Sequence, residues 1–172
     1  MTDRLVIVVP GEPVPQDRRA TPRTGRDGRP YVGTYLLPKV AQWRRQILMR
    51  ARLTEGFPPE PWDGGVRLSI VALFERPQRL LKASSPAGRI RKNTKPDSDN
   101  IVKSVGDALT PPRAKRRTGN DAINAAVRDE IRKGYLWLDD GQVHLGPVDR
   151  FYCAKHEGPG VIITVERIEE ES

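Results

Sequence analysis

The chain has 172 residues, which suits one domain with a real core, and its 30 Lys and Arg against 22 Asp and Glu leave a formal charge of +8. The closing ERIEEES is acidic, so the body is more basic than the total, and such an excess points to a polyanion, most commonly nucleic acid. A single cysteine, Cys153, excludes an intrachain disulfide; LVIVV and IVALF are too short to span a bilayer, and no signal segment opens the chain, so a cytoplasmic protein is expected. His144 and His156 are not at ligand spacing with each other or with Cys153, which argues against zinc.

RLVIVVP, residues 4–10, reads as a buried strand stopped by Pro10. Residues 11–37 are rich in Pro, Gly and Arg without a clear period, and are expected to form a mobile basic loop. PKVAQWRRQILMRARL, residues 38–53, opens with Pro at a helix start, and Val40, Trp43, Ile47 and Ala51 make one apolar stripe. A second strand is expected over 66–77, then another basic loop over 78–95. A helix from about 99 to 109 buries Ile101, Val105, Ala108 and Leu109 and stops before Pro111 and Pro112. A basic linker over 110–119 leads to an amphipathic helix at 120–132, whose apolar face is Ala122, Ile123, Ala126, Val127 and Ile131. YLWLDDGQVHLGPVDRFYCA reads as a strand or strand end, a turn at Asp140-Gly141, and a strand bent near Gly146-Pro147; GVIITVERI is the last strand. Helices and strands mix without regular βαβ alternation. The expected class is α+β (mixed α/β): one small mixed sheet of about four strands packed with two to three helices, in a single domain over 1–172.

The chemistry concentrates in TKPDSDNIVKSVGDAL, residues 94–109. Asp97 precedes the helix and Asp99 opens it, where the helix N-terminus tolerates negative charge. An ordinary cap and a turn aspartate explain each alone. They do not explain why Asp99, Lys103 and Asp107 recur every four residues on one face, off the apolar stripe. An exposed ion-pair ladder would, at tenths of a kcal/mol per pair. A calcium loop of the EF-hand type is discarded: counting from Asp97, the turn position is Val102 rather than Gly and the twelfth is Ala108 rather than Glu. A hard-cation site for phosphodiester hydrolysis remains, since Mg²⁺ takes one or two carboxylates plus water and phosphate. Asp139 and Asp140 in WLDDGQV offer another carboxylate, and adjacent strand residues point to opposite faces, so one of the two would reach the ion.

KPDSDNIVKSVGDAL followed by GYLWLDDGQV resembles the RusA family of Holliday junction resolvases, small endonucleases of phage and prophage origin. The early strand, the segment GEPVPQDRRATPR and the closing GVIITVERI are in that family's order. The resemblance implies a homodimer that binds four-way DNA junctions in recombination and repair and nicks them symmetrically with Mg²⁺ or Mn²⁺. It places the essential, metal-binding carboxylates on Asp97, Asp99 and Asp140, the catalytic lysine on Lys103, and supporting aspartates on Asp107 and Asp139. Eight helical residues rise about 12 Å, so Asp107 is too far to share an ion with Asp99 and is expected to orient Lys103. DNA contacts are expected from Arg18, Arg19, Arg23, Arg89, Arg91, Lys92 and Lys95. The chain departs from the family over about 110–134, an inserted linker carrying Arg113, Lys115, Arg116 and Arg117 and the following helix. A broader flap or fork nuclease and an inert basic DNA-binding protein are the alternatives. The last has no reason to keep Asp97, Asp99 and Lys103 together, because carboxylates repel phosphate unless a cation bridges them.

Overall fold

A computed structural model describes residues 4–112 and 121–168. Alternating apolar residues build a five-stranded sheet, and two helices cover one of its faces. In chain order the sheet strands are β1 (Arg4–Pro10), β4 (Val66–Phe74), β5 (Ile90–Arg91), β6 (Val143–Tyr152) and β7 (Gly160–Arg167). Their spatial order is β1-β7-β4-β6-β5. β7 runs antiparallel to both β1 and β4, whereas β4 and β6 are parallel. The β4–β6 register shifts between Leu68 and Ile70, opposite the Gly146-Pro147 bend expected from the sequence. The helices are α1 (Pro38–Arg52), α2 (Ser98–Leu109) and α3 (Asp121–Arg132).

The period of two in β1 turns Leu5, Ile7 and Val9 inward, where they meet Val66, Leu68, Ile70 and Phe74 of β4 and Val161, Ile163 and Val165 of β7. Trp43, Ile47 and Ala51 of α1, and Ile101, Val105, Ala108 and Leu109 of α2, close that core. α1 begins with Pro38, whose missing N–H costs nothing at the first turn. The mixed sheet and its helices thus agree with the expected α+β class, with one strand more than expected.

Three expectations change. Residues 18–36 are not a loop: β2 (Arg18–Thr24) and β3 (Pro30–Leu36) form a separate antiparallel hairpin. Cross-strand pairing supplies its order, which needs no apolar period. The second strand stops at Phe74, and Arg76 then turns inward. The segment before Asp139 makes a single bridge between Trp62 and Trp137 rather than a strand. Arg113, Lys115, Arg116 and Arg117 lie outside the described residues, as do the side chains of Arg18, Ala122 and Ile123. On the described part of α3, Val127 and Ile131 are half-buried and Ala126 is exposed. No described helix is long and apolar enough to cross a membrane.

Candidate active site

α2 and its N-cap carry the central residues, with Asp99, Lys103 and Asp107 at steps of one turn. Its N-cap is Asp97, not Asp99, and the Asp97 side chain does not bond the helix N–H groups. Asp97 therefore stands beside the positive end of the helix with its oxygens directed elsewhere. Asp99 falls in the first turn, and one turn later Nζ of Lys103 lies 3.4 Å from Oδ2 of Asp99. All three side chains are exposed.

The segment that delivers Asp97 is held from below. Lys92 is only 7% exposed, and its ammonium donates to Thr94 Oγ1 at 2.7 Å, to the Thr94 carbonyl at 3.2 Å and to the Lys95 carbonyl. It also lies 5.0 Å from the Phe74 ring centre and 5.3 Å from that of Tyr152. Arg150 donates to the Thr94 carbonyl at 3.0 Å and to the Pro96 carbonyl. The Tyr152 hydroxyl is 3.3 Å from Thr94 Oγ1; that bond, with the charges of Lys92 and Arg79, holds the phenol below its usual range. Lys92, expected to meet DNA, is thus an internal support for the backbone before Asp97.

Asp107, expected to orient Lys103, bonds Arg44 of α1, and the Lys103 ammonium lies against Asp99. The two helices are thereby tied by an ion pair whose side chains are 17% and 29% exposed.

Asp139 and Asp140 sit on a 3₁₀ turn, Asp140–Gln142. Oδ1 of Asp139 accepts from the Gly141 N–H at 2.8 Å and caps that turn. Gln142 clamps it: Oε1 accepts from the N–H groups of Leu138 and Asp139 at 2.8 and 3.0 Å, while Nε2 donates to the carbonyls of Trp62 and Gly64 at 3.0 and 2.8 Å. Asp140 faces the end of α2. The Thr110 hydroxyl lies 2.9 Å from both the Gly106 carbonyl and Oδ1 of Asp140, and can give its one proton to either. The buried Trp137 indole donates to that hydroxyl at 2.7 Å. Asp107, Asp139 and Asp140 line a cleft of about 450 Å³ with Arg44, Arg45 and Tyr135. Lys103, Asp107 and Asp140 border a second hollow over Leu68, Val102 and Leu145.

The sequence-derived site residues therefore form a track along α2 rather than one knot. Asp97, Asp99 and Lys103 share its N-terminal end, and Asp140 bonds its C-cap residue, Thr110. Twelve helical residues rise about 18 Å, so Asp140 and Asp97 do not converge on one point. Among the described residues no three Asp, Glu, His or Cys side chains are grouped closely enough to hold a metal ion. Two hard carboxylates at Asp97 and Asp99 still match what Mg²⁺ takes from a protein, the rest of its shell being water and phosphate.

Among the expected DNA contacts, Arg19, Arg23, Arg89, Arg91 and Lys95 are exposed. Arg89 donates from Nε to Glu157 at 2.9 Å, and those bonds hold the Glu157 carboxyl below its usual range; Arg91 lies 3.2 Å from Asp149. Sequence reasoning missed Arg44, Thr110, Trp137, Gln142 and Arg150, all of which act through pairings distant in the chain. The Q two positions after the paired aspartates was the one visible signal.

The family described as Endodeoxyribonuclease RusA matches residues 10–117, more than half of the chain. The matched stretch includes Asp97, Asp99, Lys103 and Asp107 and stops before Asp139 and Asp140. No curated protein matches the chain significantly.

Proposed function

Because the chain belongs to the RusA endodeoxyribonuclease family, we propose that it is a metal-dependent resolvase that cuts four-way DNA junctions by paired symmetric nicks. The observation that carries this reading is the exposed Asp97, Asp99 and Lys103 group on the first turns of α2, in a strongly basic chain. Asp97 and Asp99 would hold the ion, Mg²⁺ or Mn²⁺. When bound, it supplies Lewis acidity at the scissile phosphate and offsets the charge of the two carboxylates.

The chain's own residues have separable tasks. Lys92 and Arg150 fix the backbone that presents Asp97. Lys103 offers its ammonium to charge developing on the phosphate or the leaving oxygen, where such a group acts most strongly. Asp140 belongs to the proposed catalytic set through the family resemblance, oriented by Thr110 and Trp137. Arg19, Arg23, Arg89, Arg91 and Lys95 would take phosphates, Arg89 and Arg91 from beside Glu157 and Asp149.

A symmetric homodimer fits a junction whose strands are equivalent in pairs, because two sites then cut within one bound lifetime. The half-buried Val127 and Ile131 of α3 suit contact with the body or a second copy better than contact with DNA. The proposed setting is DNA recombination and repair in the cytoplasm of a bacterial or phage-infected cell.

The test is to incubate the protein with a labelled mobile four-way junction, a flap and a linear duplex, with and without Mg²⁺. Mg²⁺-dependent cutting confined to the junction is expected. Equal cutting of all three removes the resolvase reading in favour of a broader nuclease, and binding without cutting removes the enzyme. Asp97→Asn, Asp99→Asn and Asp140→Asn should each bind the junction and lose cleavage by more than the roughly 10- to 100-fold of an outer support residue. An Asp140→Asn protein that cuts normally takes Asp140 out of the set.

A further inference from the structure

The β2–β3 hairpin has two unlike faces. Residues directly opposite in an antiparallel pair share a face, and so do residues two apart. The register pairs Arg19 with Tyr35, Thr21 with Gly33, and Arg23 with Tyr31. One face therefore carries two arginines on β2 and, opposite them, two tyrosines on β3. The other face carries Ala20, Pro22 and Val32.

Neither tyrosine belongs to the core of the described residues. Tyr31 is 51% exposed and Tyr35 is 42% exposed, although a tyrosine ring is a large apolar surface to leave in water. The hairpin forms its own sheet and, among the described residues, pairs with no strand of the main one. Gly33 lies between the tyrosines on the same face, and the Arg23 side chain crosses it: a Cβ at Gly33 would meet Arg23 Cδ at 2.8 Å and Nε at 2.9 Å. The glycine thus leaves a channel in which an arginine lies between two ring positions. In the exposed turn Arg29 pairs with Asp27 at 3.9 Å, and Arg26 adds a further positive charge.

We propose that this face is a stacking platform for unpaired DNA bases, those opened at the branch point of the substrate. Phosphate alone would call for arginines and no rings. Rings with arginines between them fit bases with their backbone, since every base has a π-face and every phosphate a charge. Tyr31 and Tyr35 are four strand residues apart, about 13 Å, so each ring takes its own base. The inference deepens the DNA-nuclease reading and rests on it for the identity of the polymer.

The experiment measures affinity in EDTA for a labelled oligo(dT) and for a blunt duplex of equal length. Tyr31→Ala combined with Tyr35→Ala should weaken oligo(dT) binding by about tenfold or more and leave duplex binding unchanged. Tyr31→Phe combined with Tyr35→Phe should bind as wild type, because stacking needs the ring and not the hydroxyl. The proposal is overturned if the alanine pair binds oligo(dT) normally, if it loses duplex binding equally, if the phenylalanine pair is as weak as the alanine pair, or if wild type does not bind oligo(dT). Junction cutting by wild type in Mg²⁺ tests the enzyme reading separately. An inactive protein with tyrosine-dependent oligo(dT) binding sinks the nuclease and leaves the platform standing.

Discussion

Replacing Asp107 by Ala separates a structural from a catalytic role for that aspartate. In the folded chain the carboxylate bonds Arg44, and the two side chains are 29% and 17% exposed. A fully exposed pair contributes up to about 1 kcal/mol, and stripping the partner from a fully buried charge costs about 3–5 kcal/mol. With burial between those limits, Asp107→Ala should cost about 1–3 kcal/mol. For a chain of this length that lowers Tm by roughly 2–12 °C. The cost should be real because Arg44 is the more buried partner, and its Nε is buried without a hydrogen bond among the described groups. Arg44→Met keeps the apolar stem, and the double variant Arg44→Met with Asp107→Ala should recover part of the loss, since an apolar replacement of both partners strands no charge. Urea melts followed by tryptophan fluorescence measure all three variants, with junction cleavage assayed on the folded fraction. Cleavage per folded molecule should fall far less than in Asp99→Asn. An Asp107→Ala protein that melts as wild type yet cuts nothing would refute the reasoning and move Asp107 to the substrate.

Lys103→Ala should lower the cleavage rate more than junction affinity, as one phosphate contact among many is a small share of binding; equal losses in both would make it a plain phosphate contact. Lys92→Met should loosen the segment before Asp97 and reduce cleavage while the slope of log affinity against log salt stays unchanged. A slope smaller by about 0.9 would instead put Lys92 on a phosphate. The Glu157 carboxyl is depressed in the folded chain, chiefly by its hydrogen bonds from Arg89. Its contribution to stability is therefore present above the ordinary glutamate value of about 4.3 and lost as pH falls through the lower folded value. The gap in Tm between wild type and Glu157→Gln should persist at neutral pH and close in acid; a gap independent of pH denies the pairing.

The sheet core and both covering helices were legible because their residues repeat with the period of their element: Leu5, Ile7 and Val9 by two, Val40, Trp43 and Ile47 by about 3.6. The hairpin was not, because Arg, Thr, Pro and Gly at 18–36 bury almost nothing and are ordered by pairing with each other. In the candidate site, Asp99 and Lys103 could be read from spacing, since they lie one turn apart on one helix, whereas Asp97 entered with the D-x-D motif of the family resemblance. Arg44, Lys92 and Arg76 could not be read in either way. Each is a cation in a basic chain, and composition assigns such residues to the surface, whereas here an aspartate, an aromatic pair or a set of carbonyls draws each one in. The track-like separation of Asp140 from Asp97 was equally hidden, because it depends on Thr110 and Trp137 meeting across 27 residues of chain.

Arg76 has a consequence for how this surface can change. It is 5% exposed, and its guanidinium donates to the carbonyls of Cys153 at 2.6 Å, Leu80 at 3.2 Å, Pro86 at 2.7 Å and Ala87 at 3.2 Å, as well as to that of Gly88. Together with Lys155, which donates to the Lys82 and Ala87 carbonyls, this side chain holds the path of the backbone from 77 to 88 through main-chain atoms, which every residue type possesses. The side chains along that path, Arg79 and Lys82 among them, are then interchangeable without altering the path. The loop is a fixed frame on which a new charge pattern can be written by point substitution, so selectivity for a different DNA shape can arise there without refolding. The same economy concentrates the risk: substituting Arg76 removes the partner of several part-buried carbonyls at once, leaving the loop to the bonds that Lys155 makes with the Lys82 and Ala87 carbonyls.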